Sequence, residues 1–332
     1  ERIIGICGNN GVGKTNLLDA IHYLCFTKSY FTRDNLNVQN GKSGFRIEGE
    51  LKDEKAVCIL RETGKKEFLV NEVAYEKFSE HIGRYPCVII APDDIQIITG
   101  GSEERRRFLD ALLSQLDAEY LKQLISYNKI LLQRNSLLKS LAESRAKDLS
   151  LLDVLDDQLA RPGEYIFEKR KAFLLPFLPE VKKQYFEIAK KEEDATLTYQ
   201  SELLQCSFAA LLKLRRQKDM VAQRTTGGIH RDELLFTLDN QPFRMIASQG
   251  QRKSLLFALK LAEMYVLKEN KGFPPILLLD DVFEKLDEER IVNLLHRVCI
   301  QNEGQVFITD TNNDRLTQHL EHLNIQFQTI LL

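Results

Sequence analysis

Apolar and polar positions alternate with two different periods along the chain. Residues 2–7 form a short apolar run before a Gly- and Asn-rich turn, and apolar positions then recur at helical spacing over residues 15–26. The segments FRIEGEL, AVCILRE and EFLVN, within residues 45–71, carry alternating or β-branched residues, and the run CVIIA stops at Pro92. This pattern predicts a strand, a loop and a helix, followed by a small antiparallel sheet and a buried strand.

A helical period dominates the middle of the chain. From Ser102 to about Lys191 the sequence is rich in Leu, Lys, Glu and Gln, and the stretch 103–143 is longer than a typical globular helix, which predicts a hairpin or a coiled arm. The α/β pattern then returns with LLFTLD, a helix near 250–269, the run PILLLDD, a helix near 287–299 and the strand QVFIT. We therefore predict a nucleotide-binding α/β fold that is split by an inserted helical arm.

Composition sets limits on this picture. The 332 residues are 43% hydrophobic, which is enough for a sizeable core, and the net charge of −2 gives no global attraction to nucleic acid. The six cysteines form no CxxC pair and are predicted to be buried reduced thiols. No apolar stretch approaches the roughly 20 residues that cross a bilayer, so we expect a cytoplasmic protein. The chain begins at Glu1 directly before a predicted strand, and we expect a short segment to precede it.

A phosphate-binding motif occupies the first turn. Residues 8–15, GNNGVGKT, fit the pattern GxxxxGK[ST] between a predicted strand and a predicted helix. Glycines allow successive N–H groups to face phosphates, and the helix adds its positive N-terminal end. We expect Lys14 to reach the β- and γ-phosphates and the Thr15 hydroxyl to bind Mg²⁺. The predicted ATP-binding residues here are Gly8, Asn9, Asn10, Gly11, Val12, Gly13, Lys14, Thr15 and Asn16.

Two adjacent carboxylates end a later apolar run. In residues 275–281, PILLLDD, the apolar run predicts a buried strand from whose end Asp280 emerges. We predict that Asp280 binds Mg²⁺ and that Asp281 polarises the attacking water. A pair of carboxylates in a turn can also serve only as a helix cap, but its combination with Lys14 favours the catalytic interpretation.

A third motif resembles the signature of ABC-type ATPases. Residues 247–252, ASQGQR, precede an amphipathic helix some thirty residues before the acidic strand, and residues 284–287, EKLD, resemble the D-loop that follows that strand in this superfamily. On its own, Ser248 could be only a helix N-cap. The resemblance implies that Ser248 acts in trans on the γ-phosphate of ATP held by a partner subunit, with Gly250 and Gln251 also binding ATP.

Longer segments resemble the RecF family. These are GVGKTNLLDAIHYL, APDDIQIITGGSEERRRFLDALLSQLD, YNKILLQRNSLLK, GGIHRDELLFTL, SQGQRKSLLFALKLAE and LLLDDVFEKLDEER, in the family order over residues 8–311. The resemblance implies a DNA repair protein that recognises gapped DNA or junctions of single- and double-stranded DNA. With RecO and RecR as partners, it would help to load RecA. The resemblance also implies an ATP-dependent homodimer with slow, DNA-dependent hydrolysis, ATP and Mg²⁺ as cofactors, and no membrane partner.

The sequence pattern and the resemblance together predict a domain plan. An ABC-type ATPase head, with a parallel core sheet and a small antiparallel sheet, would occupy residues 1–100 and 226–332, and a mainly helical arm would occupy residues 101–225. Asp94 or Gln96 stands where other ABC ATPases place the Gln-containing loop, and the sequence does not choose between them. After the last core strand, Thr309, Asp310 or neither replaces the usual switch histidine.

Basic clusters are the remaining candidates for DNA contact. Arg105, Arg106 and Arg107 open the arm and are the predicted DNA-binding residues, although Glu103 and Glu104 could simply pair with them along a helix. Residues 169–171 and 213–218 are further basic clusters, each of which could equally be a solvated helix face. His230 matches a family segment but could only fix a core turn, and His319 is expected on the surface.

Three other functions share the phosphate-binding loop. A chromosome-structure ATPase of the SMC kind would need far longer coiled coils than an arm of about 125 residues. A small-molecule kinase would have no use for the signature motif, and a transporter ATPase would need a membrane partner. The DNA repair ATPase is therefore the favoured function.

Overall fold

The computed structural model describes residues 1–144, 149–189, 193–283 and 288–332. The chain divides into two compact units. The first comprises Glu1–Asp94, Glu187–Lys190 and Lys253–Leu332, and the second comprises Ile95–Phe186 and Lys191–Arg252.

The helices and strands fall into three stretches of the chain. The elements of residues 1–94 are β1 (Ile3–Cys7), α1 (Lys14–Phe26), β2 (Phe45–Leu51), β3 (Glu54–Leu60), β4 (Lys66–Val70), β5 (Val73–Ala74) and β6 (Cys87–Ile90). Those of residues 95–271 are α2 (Ile95–Thr99), α3 (Ser102–Leu116), α4 (Ala118–Ser144), α5 (Ser150–Ala189), β7 (Ala195–Gln200), α6 (Phe208–Ala222), β8 (Glu233–Leu238), β9 (Gln241–Pro242), α7 (Phe243–Ile246) and α8 (Gln249–Lys271). The remainder contains β10 (Ile276–Leu279), α9 (Glu288–Leu295), a π-helical turn (His296–Gln301), β11 (Val306–Asp310), α10 (Asn313–His322) and β12 (Gln328–Leu331).

A parallel sheet forms the centre of the first unit. Its strand order is β12–β1–β11–β10–β6, and neighbouring strands are parallel. The apolar runs are buried because a parallel sheet is covered on both faces. The carboxyl ends of β1, β11 and β10 meet at one edge, with Cys7 opposite Asp310 and Leu279 opposite Ile308. Ligands of open α/β sheets bind at this edge.

A separate antiparallel sheet completes the first unit. Strands β2, β3, β4 and β5 pair in sequence order, as the alternating segments predicted. Leu18 and Tyr23 of α1 share one buried core with Phe68 of this sheet and with Ile89 and Leu278 of the parallel sheet. The helix that follows the phosphate loop is thereby fixed in place. The predicted fold class, a parallel core sheet with a small antiparallel sheet, is confirmed.

The second unit combines the predicted helices with a further antiparallel sheet. The helical pattern breaks between α3 and α4 at Asp117, whose carboxylate accepts hydrogen bonds from the N–H groups of Glu119 and Tyr120. An antiparallel sheet of β7, β8 and β9 lies in the same unit. Strand β8 pairs with β7 over residues 233–238, and the second unit extends to Arg252, whereas the predicted arm ends at residue 225. The domain bounds stay a prediction.

Buried ion pairs stabilise the second unit. The Arg134 guanidinium is fully buried and donates to Asp156 at 2.6 Å and to Asp219 at 2.8 Å. Arg170 is buried as well and contacts Asp110 at 2.8 Å and Asp232 at 3.0 Å. These contacts connect α4, α5 and α6 with the segment before β8, where an unpaired charge would be costly.

Two further sequence predictions concern burial. None of the six cysteines forms a disulfide, and all except Cys206 are buried. Within the described ranges, no helix combines the length and apolar composition needed to span a bilayer.

Candidate nucleotide-binding site

The phosphate-binding loop lies between β1 and α1, in the context that the motif requires. Gly13 precedes the first residue of α1 with φ 109°, a left-handed angle that strains other residues. At Gly8 a Cβ atom would lie 2.9 Å from the backbone oxygen of Leu332, so the approach of the last segment excludes a side chain there. The glycines therefore shape a tight loop whose N–H groups belong to the start of a helix.

Lys14 is the first residue of α1 and folds back across this loop. Its Nζ atom donates to the backbone oxygen of Gly8 at 2.8 Å and to that of Asn9 at 3.1 Å, and the side chain is buried. An ammonium group held by carbonyl groups at a helix N-terminus is placed to exchange one of these contacts for a phosphate oxygen.

Thr15 and Asp280 come together at the carboxyl edge of the parallel sheet. The Thr15 hydroxyl lies 2.9 Å from Oδ2 and 3.1 Å from Oδ1 of Asp280. Asp280 is buried directly after β10, and its N–H donates to the oxygen of Ile90 at 2.8 Å. A hydroxyl and a carboxylate are the hard oxygen donors that Mg²⁺ takes in proteins. The pair therefore fits the predicted metal site.

Thr309 contacts both carboxylate residues at the end of β11. Its hydroxyl donates to Asp280 Oδ1 at 2.8 Å and accepts a hydrogen bond from the N–H of Asp281 at 2.9 Å. Asp281 has a left-handed backbone with φ 43°. The sequence named Thr309 only as a possible switch residue and gave no sign of this contact.

Asp310 and Asp94 have partners of their own in the first unit. Asp310 accepts from Arg315 at 2.9 Å and from the N–H of Asn312, and it is buried. Asp94 is also buried and accepts from the hydroxyl of Tyr30, with Lys260 Nζ 3.7 Å away. Both carboxylates are therefore neutralised by cations within the unit.

The two alternatives for the Gln-containing loop differ in exposure. Gln96 is exposed, whereas Asp94 is enclosed by its partners. Asp94 and Gln96 both remain candidates for the residue that senses Mg²⁺ or the γ-phosphate.

Ser248 forms a capping box at the start of α8. Its hydroxyl accepts from the N–H of Gln251 at 3.2 Å, and its own N–H donates to Gln251 Oε1 at 2.7 Å. Ser248 is exposed, and Gly250 and Gln251 are half-buried. The cap and the anion-binding role are compatible, because the hydroxyl hydrogen of Ser248 is not used by the box. The predicted D-loop, residues 284–287, lies outside the described residues.

Arg105 does not have the exposure that DNA contact requires. It is buried and donates to Glu233 Oε1 at 2.7 Å and to the backbone oxygens of Ile97 and Gly100. All three guanidinium nitrogens donate to protein oxygens, which leaves Arg105 little capacity for DNA, and its DNA contact stays a prediction. The sequence analysis did not identify Glu233 as the partner of Arg105, because the two residues lie far apart in the sequence.

Arg106 and Arg107 remain at least partly accessible. Arg106 donates to the backbone oxygen of Asp232, and burial lowers its pKa. Arg107 is exposed and pairs with Glu103 at 2.6 Å and Glu104 at 3.3 Å, along the helix as the alternative interpretation expected. Both stay predictions as DNA contacts.

The other basic clusters are only partly available. Arg170, Arg215 and Arg216 are engaged by carboxylates, whereas Lys171, Lys213 and Lys218 are exposed. His230 contacts the Tyr127 hydroxyl at 2.6 Å, and burial lowers its pKa to about 4, which is typical of a neutral core histidine.

His319 was expected on the surface, and this expectation was wrong. The ring is buried against Phe283, and Nδ1 lies 3.4 Å from Glu288. The period of α10 directs this position towards the core.

Comparisons with known proteins agree with the geometry. A family model described as an AAA domain matches residues 1–330. The chain is 44% identical to the DNA replication and repair protein RecF of Flavobacterium johnsoniae over 313 residues, which cover 93% of this chain and 87% of that protein. It is 44% identical over 322 residues to the protein of the same name from Parabacteroides distasonis, covering 96% and 87%.

The fold is also similar to that of solved RecF structures. Structures of the recombination mediator protein RecF in the RecFOR pathway, described as RecF-ATP and RecF-ATPrS, each superimpose with a TM-score of 0.85. Sequence identity is 30%, and the match covers 94% of this chain and 87% of the other.

Proposed function

The chain belongs to the RecF family of DNA replication and repair proteins, and from this membership we propose that it is an ATP-gated DNA-binding ATPase. It would recognise gapped DNA or junctions between single- and double-stranded DNA. Acting with RecO and RecR, it would help to load RecA for recombinational repair. The absence of disulfides among the six cysteines fits a reducing compartment, and we place the activity in the cytoplasm.

The contact between Thr15 and Asp280 is the observation that carries the proposal. It joins the phosphate loop to the acidic strand at the edge where α/β proteins bind ligands. Their oxygens would hold Mg²⁺, which neutralises the negative charge of the phosphates when bound. RecF proteins described in complex with ATP share this fold, which further supports ATP as the nucleotide.

The phosphate loop and Asp281 have different roles in the proposed reaction. The N–H groups at the start of α1 bind the phosphates, and Lys14 replaces a carbonyl contact by a phosphate oxygen. Asp281 orients the attacking water and accepts its proton. Asp is a weaker base than a residue with a pKa near 7, which accords with slow hydrolysis.

The working unit is a homodimer. The hydroxyl of Ser248 would bind the γ-phosphate of ATP held by a second copy, together with the N–H groups at the start of α8. ATP would favour the dimer because only the triphosphate offers this extra contact, and hydrolysis would remove it. We expect Ser248→Arg to abolish ATP-induced dimerisation in light scattering while nucleotide binding by the monomer stays close to that of the wild type. Unchanged dimerisation would contradict this mechanism.

DNA contact would use exposed cations of the second unit. Arg107 and Arg106 remain candidates, and the exposed side chains of Lys171, Lys213 and Lys218 offer further positive charge. Such contacts neutralise phosphates and do not read bases, which suits recognition of a DNA structure over a sequence.

Binding measurements under matched conditions test the gating. Affinity is measured for gapped, single-stranded and blunt duplex DNA, each with ATP, with ADP and without nucleotide, at one fixed salt concentration. We expect the tightest binding for gapped DNA with ATP. Equal affinity in all combinations would overturn nucleotide gating.

A further inference from the structure

Thr309 lies in the middle of the parallel sheet, next to the proposed nucleotide-binding site. It is fully buried at the end of β11, the strand between β1 and β10 in the parallel sheet. One neighbouring strand leads to the phosphate loop and the other to Asp280. A side chain at this point can therefore contact the acidic residues from the side opposite β6.

Both hydrogen-bonding functions of the Thr309 hydroxyl are engaged. The oxygen donates to Asp280 Oδ1 at 2.8 Å and accepts the N–H of Asp281 at 2.9 Å. A backbone N–H can only donate and a carboxylate can only accept, so the hydroxyl uses a lone pair for Asp281 and its single hydrogen for Asp280. The same hydroxyl thus links the side chain of one acidic residue to the backbone of the next.

The backbone of Asp281 depends on such a link. Its φ of 43° lies in the left-handed region, which costs a residue with a side chain about 1 kcal/mol or more. The hydrogen bond from its N–H to Thr309 stabilises this conformation. Because the backbone angles set where the Cβ atom projects, Thr309 also sets the direction from which the Asp281 carboxylate approaches the site.

The Asp280 carboxylate is held from two sides. Thr15 contacts it at 2.9 Å from the phosphate loop, and Thr309 contacts it at 2.8 Å from β11. If the Thr15 hydroxyl turns to a metal ion, its bond to Asp280 is lost, whereas the bond from Thr309 can remain. Thr309 would then be the contact that keeps the carboxylate oriented.

From this geometry we propose that Thr309 is a positioning residue for Mg²⁺-dependent ATP hydrolysis, fixing the Asp280 carboxylate and the Asp281 backbone together. The inference rests on the proposed function of the same site. It assigns to Thr309, one of the candidate switch residues, a hydrogen-bonding task that needs no histidine. Hydrogen-bond partners behind a metal ligand typically change metal affinity or activity by about 10–100-fold.

Three substitutions separate hydrogen bonding from packing. Thr309→Val keeps the branched shape but removes the hydroxyl, and Thr309→Ser keeps the hydroxyl but removes the methyl group. Thr309→Ala lacks both groups. If Thr309 acts through its hydrogen bonds, Thr309→Val and Thr309→Ala should show the same defect and Thr309→Ser should resemble the wild type.

The test measures affinity for a fluorescent ATP analogue with Mg²⁺ and with EDTA, together with kcat and KM for ATP. For Thr309→Val and Thr309→Ala we expect metal-free affinity within about twofold of the wild type and a gain in affinity from Mg²⁺ that is reduced about 10-fold. The value of kcat should fall by about 10–100-fold, with a smaller change in KM. Thr309→Ser should retain most of the wild-type gain in affinity from Mg²⁺ and most of the wild-type kcat.

The outcomes distinguish this inference from the proposed function. Wild-type kcat and Mg²⁺ response in Thr309→Val would overturn the role of Thr309 while leaving the ATPase intact. An equal loss in Thr309→Ser and Thr309→Val would assign the effect to the methyl group and also overturn it. A wild-type chain that neither binds nor hydrolyses Mg²⁺-ATP would overturn both proposals.

Discussion

The hydroxyl of Thr15 lies 2.9 Å from Oδ2 of Asp280, although 265 positions separate the two residues in the sequence. The contact forms because β1 and β10 run parallel on either side of β11 and end at the same edge. The first residues of α1 thereby face the acidic turn. The fold itself therefore brings together the two groups that we propose as ligands of Mg²⁺.

Loss of the Asp280 charge should remove the metal response. In Asp280→Asn the side chain keeps its size and an acceptor for Thr15, but it no longer offers a carboxylate to Mg²⁺. We expect the gain in ATP affinity from Mg²⁺ to fall by more than the 10–100-fold typical of outer hydrogen-bond partners. Fluorescent nucleotide titrations with Mg²⁺ and with EDTA measure this. Asp281→Asn is the matched control, since it should lose turnover but keep the Mg²⁺ response, and an equal Mg²⁺ response in both variants would count against the assignment.

Arg105 and Arg107 should differ sharply in their effect on stability. Arg105→Ala leaves Glu233 without its buried partner and frees two backbone oxygens, so we expect a loss of about 3 kcal/mol. Arg107→Ala removes only exposed pairs and should change stability by less than about 0.5 kcal/mol. Urea denaturation followed by circular dichroism compares the two. If Arg105→Ala and Arg107→Ala have equal free energies of unfolding, a structural role for Arg105 is contradicted.

Gln251 should matter for dimerisation through its contact with Ser248. Gln251→Ala removes the bond to the N–H of Ser248 and should weaken ATP-induced dimerisation, at a cost of about 0.5–1 kcal/mol in helix stability. Gln251→Glu keeps a capping box but adds negative charge where a phosphate would bind, so it should preserve thermal stability and impair dimerisation more. Light scattering and thermal denaturation measure the two effects. Gln249→Ala is the control, and dimerisation in Gln251→Glu that equals the wild type would exclude an anion at this position.

Glu263 should make stability depend on pH. Burial raises its pKa to about 7, against the attraction of Lys260, whose Nζ lies 3.6 Å away and also faces Asp94. Because this pKa lies above the ordinary value of 4.5, the contribution of Glu263 is complete below pH 4.5 and is lost as the pH rises through 7.

Removal of the charge should therefore stabilise the protein only at high pH. We expect Glu263→Gln to raise the free energy of unfolding by about 2 kcal/mol at pH 8 and to change it little at pH 5. Denaturation at both pH values measures this, with the exposed Glu269→Gln as a control on the same helix. A variant that is less stable than the wild type at pH 8 would show that the Lys260 pair dominates.

Local signals in the sequence predicted the site more completely than its surroundings. The glycines before Lys14 and the apolar run before Asp280 define a loop and a strand end, and both follow from short segments. The capping role of Asp117 was also readable, since Asp is a preferred N-cap, and the alternating residues of β7 indicated a strand in the predicted arm. These were missed because the helical period on either side is strong.

Burial of charged residues could not be read in the same way. Arg105 is paired with Glu233 and Asp94 lies near Lys260, and such partners meet only after the chain has folded. Thr309 is a similar case, since its two bonds depend on the neighbouring strand β10. A pattern within one segment carries no information about a partner in another segment.

The central claim, a homodimer whose sites combine residues of two copies, is tested most directly by mixing two inactive variants. Lys14→Ala removes the lysine of its own loop, and Ser248→Arg removes the serine offered to the other copy. Neither variant alone should dimerise with ATP or hydrolyse it. In a mixture, the heterodimer contains one intact site, so we predict that ATP-dependent dimerisation and turnover reappear in light scattering and phosphate release. A mixture as inactive as its components would contradict action of Ser248 in trans.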